Sequence, residues 1–190
     1  MIANQDRSGW FGASDASYIM GSWDTKSFER WWLQKLGLNR DHFTTDATAA
    51  GTYFEHAILD HIGAAEKDRQ ILIPELLLRV NLDGNTGGHI YEVKTHRADK
   101  PYKLSAAHRR QVNVQMFAMR FRGIQSPSAE VIAYGLQEDD YSNFFREIDT
   151  QRVTRHPVAY DESFMSKFLP RLGYLRDCLR DGRWPDAFAG

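Results

Sequence analysis

The feature that most constrains this chain is a change of period in its middle. Apolar residues recur at helical spacing as far as Ile62, and from residue 70 to 95 the pattern breaks into short strand-like runs. Residues 70–73 and 76–82 read as strands. Asp83-Gly84-Asn85-Thr86-Gly87-Gly88 is turn chemistry, and residues 89–95 form the returning strand. Helical spacing resumes over residues 105–122, with Val112, Gln115, Met116 and Met119 in the pattern. A strand meander placed between helices must bury sheet against helix. The expected fold class is therefore α/β or α+β, a mixed β-sheet flanked by helices, with residues 1–190 as one domain.

The flanking segments fit that frame. Ser14 can cap a short helix over residues 15–20 that stops at Gly21. A second helix starts at Thr25 or Ser27, carries Phe28, Trp31, Trp32, Leu33 and Leu36 on a core face, and ends near Gly37. A third opens at Thr45 or Asp46 and ends at Gly63; Gly51 inside it costs about 1 kcal/mol against Ala and hints at close packing. Residues 128–136 and 143–149 read as a second hairpin around Gln137-Glu138-Asp139-Asp140. A last helix runs over about 161–180, with Pro170 as kink or boundary. Phe11, Trp10 and Trp23 are expected mainly in the core, and Cys178 in packing.

Composition excludes several classes. A single cysteine removes a disulfide framework, a four-thiolate iron–sulfur cluster and a Cys-rich zinc module. The seven histidines show no tight metal spacing and are expected to be structural or solvated. No apolar run is long enough to span a bilayer, so no membrane partner is expected. With 24 Lys and Arg against 25 Asp and Glu, the formal charge is -1. The charge is unevenly placed: residues 94–122 hold eight basic residues and one acid, Asp99, or +7, leaving -8 elsewhere. A basic stretch on an acidic body is a candidate footprint for phosphates.

The sharpest chemistry lies on the meander. Asp83 closes one predicted strand, and Glu92 and Lys94 lie two apart on the next, facing the same side. A hairpin brings Asp83 beside Glu92 and Lys94. Converging carboxylates form a hard oxygen site suited to Mg²⁺ or Mn²⁺, as one ion or a pair. Such a site can activate water and stabilise charge at phosphorus. Lys94 would orient the water or neutralise developing charge. Glu55, on the third helix, is a candidate third carboxylate.

Five blocks occur in an order that resembles one known group. They are Arg7-Ser8-Gly9 with Gly12-Ala13-Ser14-Asp15, Gly51-Thr52-Tyr53-Phe54-Glu55, Asn81-Leu82-Asp83-Gly84, Glu92-Val93-Lys94, and Gln111-Val112-Asn113-Val114-Gln115-Met116. Together they resemble the PD-(D/E)XK nucleases, within them the lambda exonuclease and YqaJ-like viral recombinase family. The resemblance implies a restriction-endonuclease-like core. It implies metal ligation by Asp83, Glu92 and the backbone carbonyl of Val93, with Glu55 holding or orienting a second ion or its water. It implies that Lys94 acts on the nucleophilic water, that Gln111 positions the lysine or the water, and that Arg7, Ser14 and the Asn81 position grip a terminal 5′-phosphate. Asn81 and Leu82 replace the family's Ser and Pro, and Asn113 stands where the family often has Gln.

The expected function is a Mg²⁺- or Mn²⁺-dependent deoxyribonuclease that digests one strand of duplex DNA from its 5′ end in recombination. Arg97, Lys100, Lys103, Arg109 and Arg110 would contact the DNA backbone without reading bases. The resemblance further implies a phage or prophage product acting in the bacterial cytoplasm. It allows a homo-oligomer, a trimer in the family pattern, and a single-strand annealing protein as partner. A structure-specific endonuclease or nickase and a non-catalytic DNA-end-binding or inhibitor protein are the alternatives.

Overall fold

The computed structural model describes residues 7–39, 46–143 and 145–186, apart from the side chains of residues 46–49. One sheet carries the strands in the order β1-β2-β3-β4-β5. These are β1 Glu66–Ile73, β2 Leu78–Thr86, β3 His89–Arg97, β4 Ser128–Leu136 and β5 Val153–Val158. β3 and β4 run parallel, and the other neighbours are antiparallel. Parallel neighbours need a long crossover, and the helix between them supplies it. The helices are α1 Ala16–Met20, α2 Lys26–Lys35, α3 Asp46–His61, α4 Ala106–Phe121 and α5 Glu162–Arg180. The expected mixed sheet flanked by helices is the architecture found.

Alternation sets the two faces. Along β2, Leu78, Val80 and Leu82 are buried while Arg79, Asn81 and Asp83 are only half-buried. The apolar set joins Ile71, Ile73 and Ile90 in one core beneath α1, α2, α4 and α5. On the opposite face Val93, Ile132, Tyr134 and Leu136 pack against Ala50, Phe54, Ile58 and Leu59 of α3. Gly51 permits that approach, since a Cβ there would lie 3.1 Å from Thr95 Oγ1 on β3. Thr25, Ser105 and Asp161 cap α2, α4 and α5 by accepting from the N–H groups of Phe28, His108 and Phe164. Each such cap contributes about 1 kcal/mol.

Several local expectations are corrected. Ser14 does not cap α1; it lies within a 3₁₀ turn over Ala13–Asp15, and the Asp15 carboxylate accepts from the Gly12 N–H at 2.7 Å. β2 begins at Leu78 rather than 76, because Pro74–Leu76 forms a 3₁₀ turn and Leu77 takes a left-handed φ of 49°. Asp83 is inside β2, not at its end: Gly84 and Asn85 pair with Lys67 and Glu66 of a longer β1. The chain reverses only at Gly87 and Gly88, where Gly87 has a φ of 59°. Residues 145–149 form no strand, and β5 takes the place beside β4. Pro170 neither ends α5 nor divides it. Thr45 lies outside the described residues. Among the described residues, no helix is long and apolar enough to cross a membrane.

Candidate active site

The site occupies a fork in the sheet. β2 and β3 pair only at Gly84↔Tyr91, Asn85↔Ile90 and Thr86↔His89. Beyond that, β2 stays paired with β1, and β3 with β4, along their lengths. Asp83 stands at the crotch of the fork, where its Oδ2 accepts from the Val93 N–H at 2.8 Å. N–H and C=O of a strand residue point to the same side, so the Val93 carbonyl also faces the fork. Glu92 and Lys94 share one face of β3, which lies under α4.

Glu92 is 1% exposed and held by three donors. Lys94 Nζ lies 2.6 Å and Gln111 Nε2 2.5 Å from Glu92 Oε1, while Gln115 Nε2 donates to Oε2 at 2.5 Å. Gln111 and Gln115 can both reach one carboxylate because they are one helical turn apart on α4. Gln111 thus holds the acid with which Lys94 also pairs; Gln115, absent from the sequence-derived site, holds its other oxygen.

Electrostatics follow from crowding. Burial, then the charges of Glu92 and Glu55, push the Asp83 carboxyl well above its ordinary range, against the pull of Lys94 and the Val93 N–H. Burial, then Glu92 and Asp68, likewise raise Glu55. Burial alone would lower the Lys94 ammonium, but Glu92 and then Asp83 outweigh it and hold it above its ordinary value. Three carboxylates therefore crowd around one lysine, and burial first, then the neighbouring negative charge, raises Asp83 and Glu55. Glu55, Asp83, Glu92 and the Val93 carbonyl are hard oxygen donors of the type a divalent cation takes, whereas among the described residues the three whose ligand atoms lie within 4.8 Å of one another are Glu55, His56 and Asp68.

The fork opens into a cavity of about 600 Å³. Its walls bring together Glu55, Asp83, Glu92, Val93, Lys94 and Gln111 with Arg7, Ser14 and Asn81. The lining also holds Arg7, exposed Ser14 and Arg79, and Arg79 shares the β2 face of Asn81 and Asp83. The Asn81 side chain reaches sideways, with Oδ1 accepting from Gln70 Nε2 at 3.1 Å. The segment bearing Ser14 is fixed from two sides. Phe11 N–H donates to the Leu77 carbonyl and Arg79 N–H to the Phe11 carbonyl, both at 2.8 Å. Buried Lys35 pairs with Asp15 at 2.5 Å and donates to the Trp10 carbonyl at 3.0 Å, and Trp31 Nε1 donates to Asp15 at 2.9 Å.

Other expectations divide. Phe11 and Trp23 are in the core, as is Cys178, whereas Trp10 lines the cavity. Arg97, Lys100, Lys103, Arg109 and Arg110 do not line it; they lie at the end of β3, on the following loop and at the start of α4. Arg97 pairs with Asp99 at 2.8 Å. Sequence spacing also missed Asp68 and His56. Asp68 sits on β1, His56 Nε2 lies 2.9 Å from its Oδ2, and Glu55 offers a ligand atom within 4.8 Å of both. The signal was hidden because the ligands come from a helix and a strand rather than from one spaced motif.

No protein-family model and no curated protein sequence matches the chain. Solved structures do resemble it. The crystal structure of LHK-Exo in complex with dAMP gives a TM-score of 0.66 at 16% identity, covering 93% of this chain and 90% of that one. A second structure, an alkaline exonuclease (LHK-Exo) from Laribacter hongkongensis, gives 0.62 at 16% identity with the same coverage. A phage-related exonuclease from Haemophilus somnus 129PT gives 0.64 at 11% identity, covering 91% of this chain and 96% of that one. This chain has the fold of these alkaline and phage-related exonucleases.

Proposed function

We propose that the protein is a Mg²⁺- or Mn²⁺-dependent deoxyribonuclease that degrades one strand of duplex DNA from a 5′ end. The observation that carries this reading is that Asp83, Glu92, Glu55 and Lys94 line one cavity together with Arg7, Ser14 and Arg79. The shared fold with exonucleases supports it.

Asp83, Glu92 and the Val93 carbonyl would hold the cation, and Glu55 would hold a second ion or its water. When bound, the ion supplies Lewis acidity at the phosphoryl oxygen and lowers the pKa of water. Lys94, kept protonated by Glu92 and Asp83, orients the attacking water and stabilises negative charge on phosphorus. Gln111 and Glu92 fix the lysine in place. Water attacks phosphorus in line, the bond from phosphorus to the 3′ oxygen breaks, and a nucleotide bearing a 5′-phosphate leaves. The new strand end carries a 5′-phosphate that Arg7 and Ser14 grip for the next cycle. Lys100, Lys103, Arg109 and Arg110 hold the DNA backbone at the approach.

The test is a cleavage assay with Mg²⁺ and with EDTA, on linear duplex labelled at the 5′ or 3′ end and on closed circular duplex. The reading requires Mg²⁺-dependent release of 5′-labelled mononucleotides from the linear form and an intact circle. Nicking of the circle would indicate an endonuclease on the same fold, and no cleavage of either would leave a DNA-end binder.

A further inference from the structure

The clamp on Glu92 is asymmetric, and its asymmetry singles out one residue. Oε1 of Glu92 accepts from both Lys94 and Gln111, whereas among the described residues Oε2 accepts from Gln115 alone. An ionised carboxylate offers about four lone-pair sites, two on each oxygen. Oε1 is therefore saturated, and Oε2 keeps the lone pair that a cation can take. The same Gln115 Nε2 also donates to the backbone carbonyl of Asn81 at 3.2 Å. Asn81 lies on β2 beyond the last β2–β3 pair, so this amide ties a side chain of β3 to the main chain of β2 across the open fork.

We infer that Gln115 is a positioning residue for the cation site: one buried amide sets the width of the fork and aims the cation-ligating oxygen of Glu92. The inference rests on the proposed reading of that site as a divalent-cation centre.

The orientation of the amide is forced. Turning it over would set its oxygen against two acceptors, Glu92 Oε2 and the Asn81 carbonyl. In the orientation found, Gln115 is 0% exposed and its Oε1 has no hydrogen-bond partner among the described residues. A buried acceptor left unpaired is destabilising. A residue kept only for packing carries no such penalty, since methionine has nearly the same length and no orphan oxygen. The two donated hydrogen bonds are what the glutamine adds, and both end on the fork.

The experiment is Mn²⁺ binding to the full chain, followed by electron paramagnetic resonance, for wild type, Gln115→Met and Gln115→Asn, alongside thermal unfolding in EDTA. Removing a hydrogen bond that supports a metal ligand weakens metal affinity roughly 10–100-fold. Gln115→Met should show that weakening while its unfolding midpoint in EDTA moves by no more than about 4 °C. Gln115→Asn, too short to reach both acceptors, should also bind Mn²⁺ more weakly. Cleavage by both variants should recover as Mn²⁺ is raised, because the acid and the lysine are intact. Wild-type affinity in Gln115→Met overturns the inference. So does a drop in EDTA stability of both variants large enough to account for the weaker binding, which would make Gln115 a packing residue. A wild type that binds no Mn²⁺ overturns the cation reading itself, before any variant is compared.

Discussion

Asp83→Asn is expected to separate stability from function. The carboxyl of Asp83 is raised by burial and by its acidic neighbours, so its charge is held in place at a cost to the cation-free fold. The amide keeps an oxygen to accept the Val93 N–H, and it removes one of three mutually repelling charges. The cation-free variant should therefore unfold at a higher temperature than wild type, with no cleavage activity.

The pH sign follows from the same shift. A carboxyl whose folded pKa lies above its unfolded value takes up its proton earlier in the folded state. Cation-free wild type should gain stability as pH falls from the raised pKa toward the ordinary 3.8, and lose it again on the way up. Asp83→Asn should flatten that slope, leaving the smaller contribution of Glu55 in the same direction.

A cation acts on the other side of the balance. At 100 times its dissociation constant, a bound ion stabilises the fold by about 2.7 kcal/mol. For a chain of this size that raises the unfolding midpoint by roughly 5–11 °C. The assay is thermal unfolding in EDTA and in saturating Mn²⁺, at several pH values. The expected result is a metal-induced rise in wild type that is largely abolished in Asp83→Asn. A variant less stable than wild type in EDTA, yet showing the full metal-induced rise, would refute the reasoning.

Three further outcomes are expected. Lys94→Ala should lower kcat by about 10²–10³-fold, the scale for removing one stabilising donor; duplex affinity measured in Ca²⁺ should stay near wild type. Arg7→Ala should reduce the preference for 5′-phosphorylated over 5′-hydroxyl ends in competition digests, and an unchanged preference would remove Arg7 from the phosphate subsite. Replacing Lys100, Lys103, Arg109 and Arg110 together by Gln should reduce the slope of log affinity against log salt by up to about 0.9 for each DNA phosphate that is no longer neutralised.

Much of this was legible in the sequence where signals were local. The starts of α2, α4 and α5 near Thr25, Ser105 and Asp161, the α4 pattern and the Glu92-Val93-Lys94 strand all follow from short-range spacing. What misled was context. Asp83-Gly84-Asn85-Thr86 has turn chemistry, yet β1 supplies Glu66 and Lys67 as partners and keeps it extended. β5 was hidden because Val-Thr-Arg-His-Pro-Val is a polar edge strand, where Pro157 is tolerated and alternation is weak. Ser14 has the residue type of a cap, but it lies inside a 3₁₀ turn, α1 has no side-chain cap among the described residues, and Ser14 lines the cavity instead.

The candidate site shows the same division. Asp83, Glu92, Lys94 and Gln111 were visible as a motif, and the structure brings all four together with Glu55. Gln115, Arg79 and Asp68 were not singled out. Their positions depend on a helix face meeting a carboxylate, on strand alternation, and on β1 lying beside β2. None of these is set by spacing along one segment.

The most direct measurement is the anomalous diffraction of crystals containing Mn²⁺. The account predicts a peak within coordination distance of Asp83, Glu92 Oε2 and the Val93 carbonyl, with Glu55 beside it. A peak confined to Glu55, His56 and Asp68, or none at the fork, would contradict it.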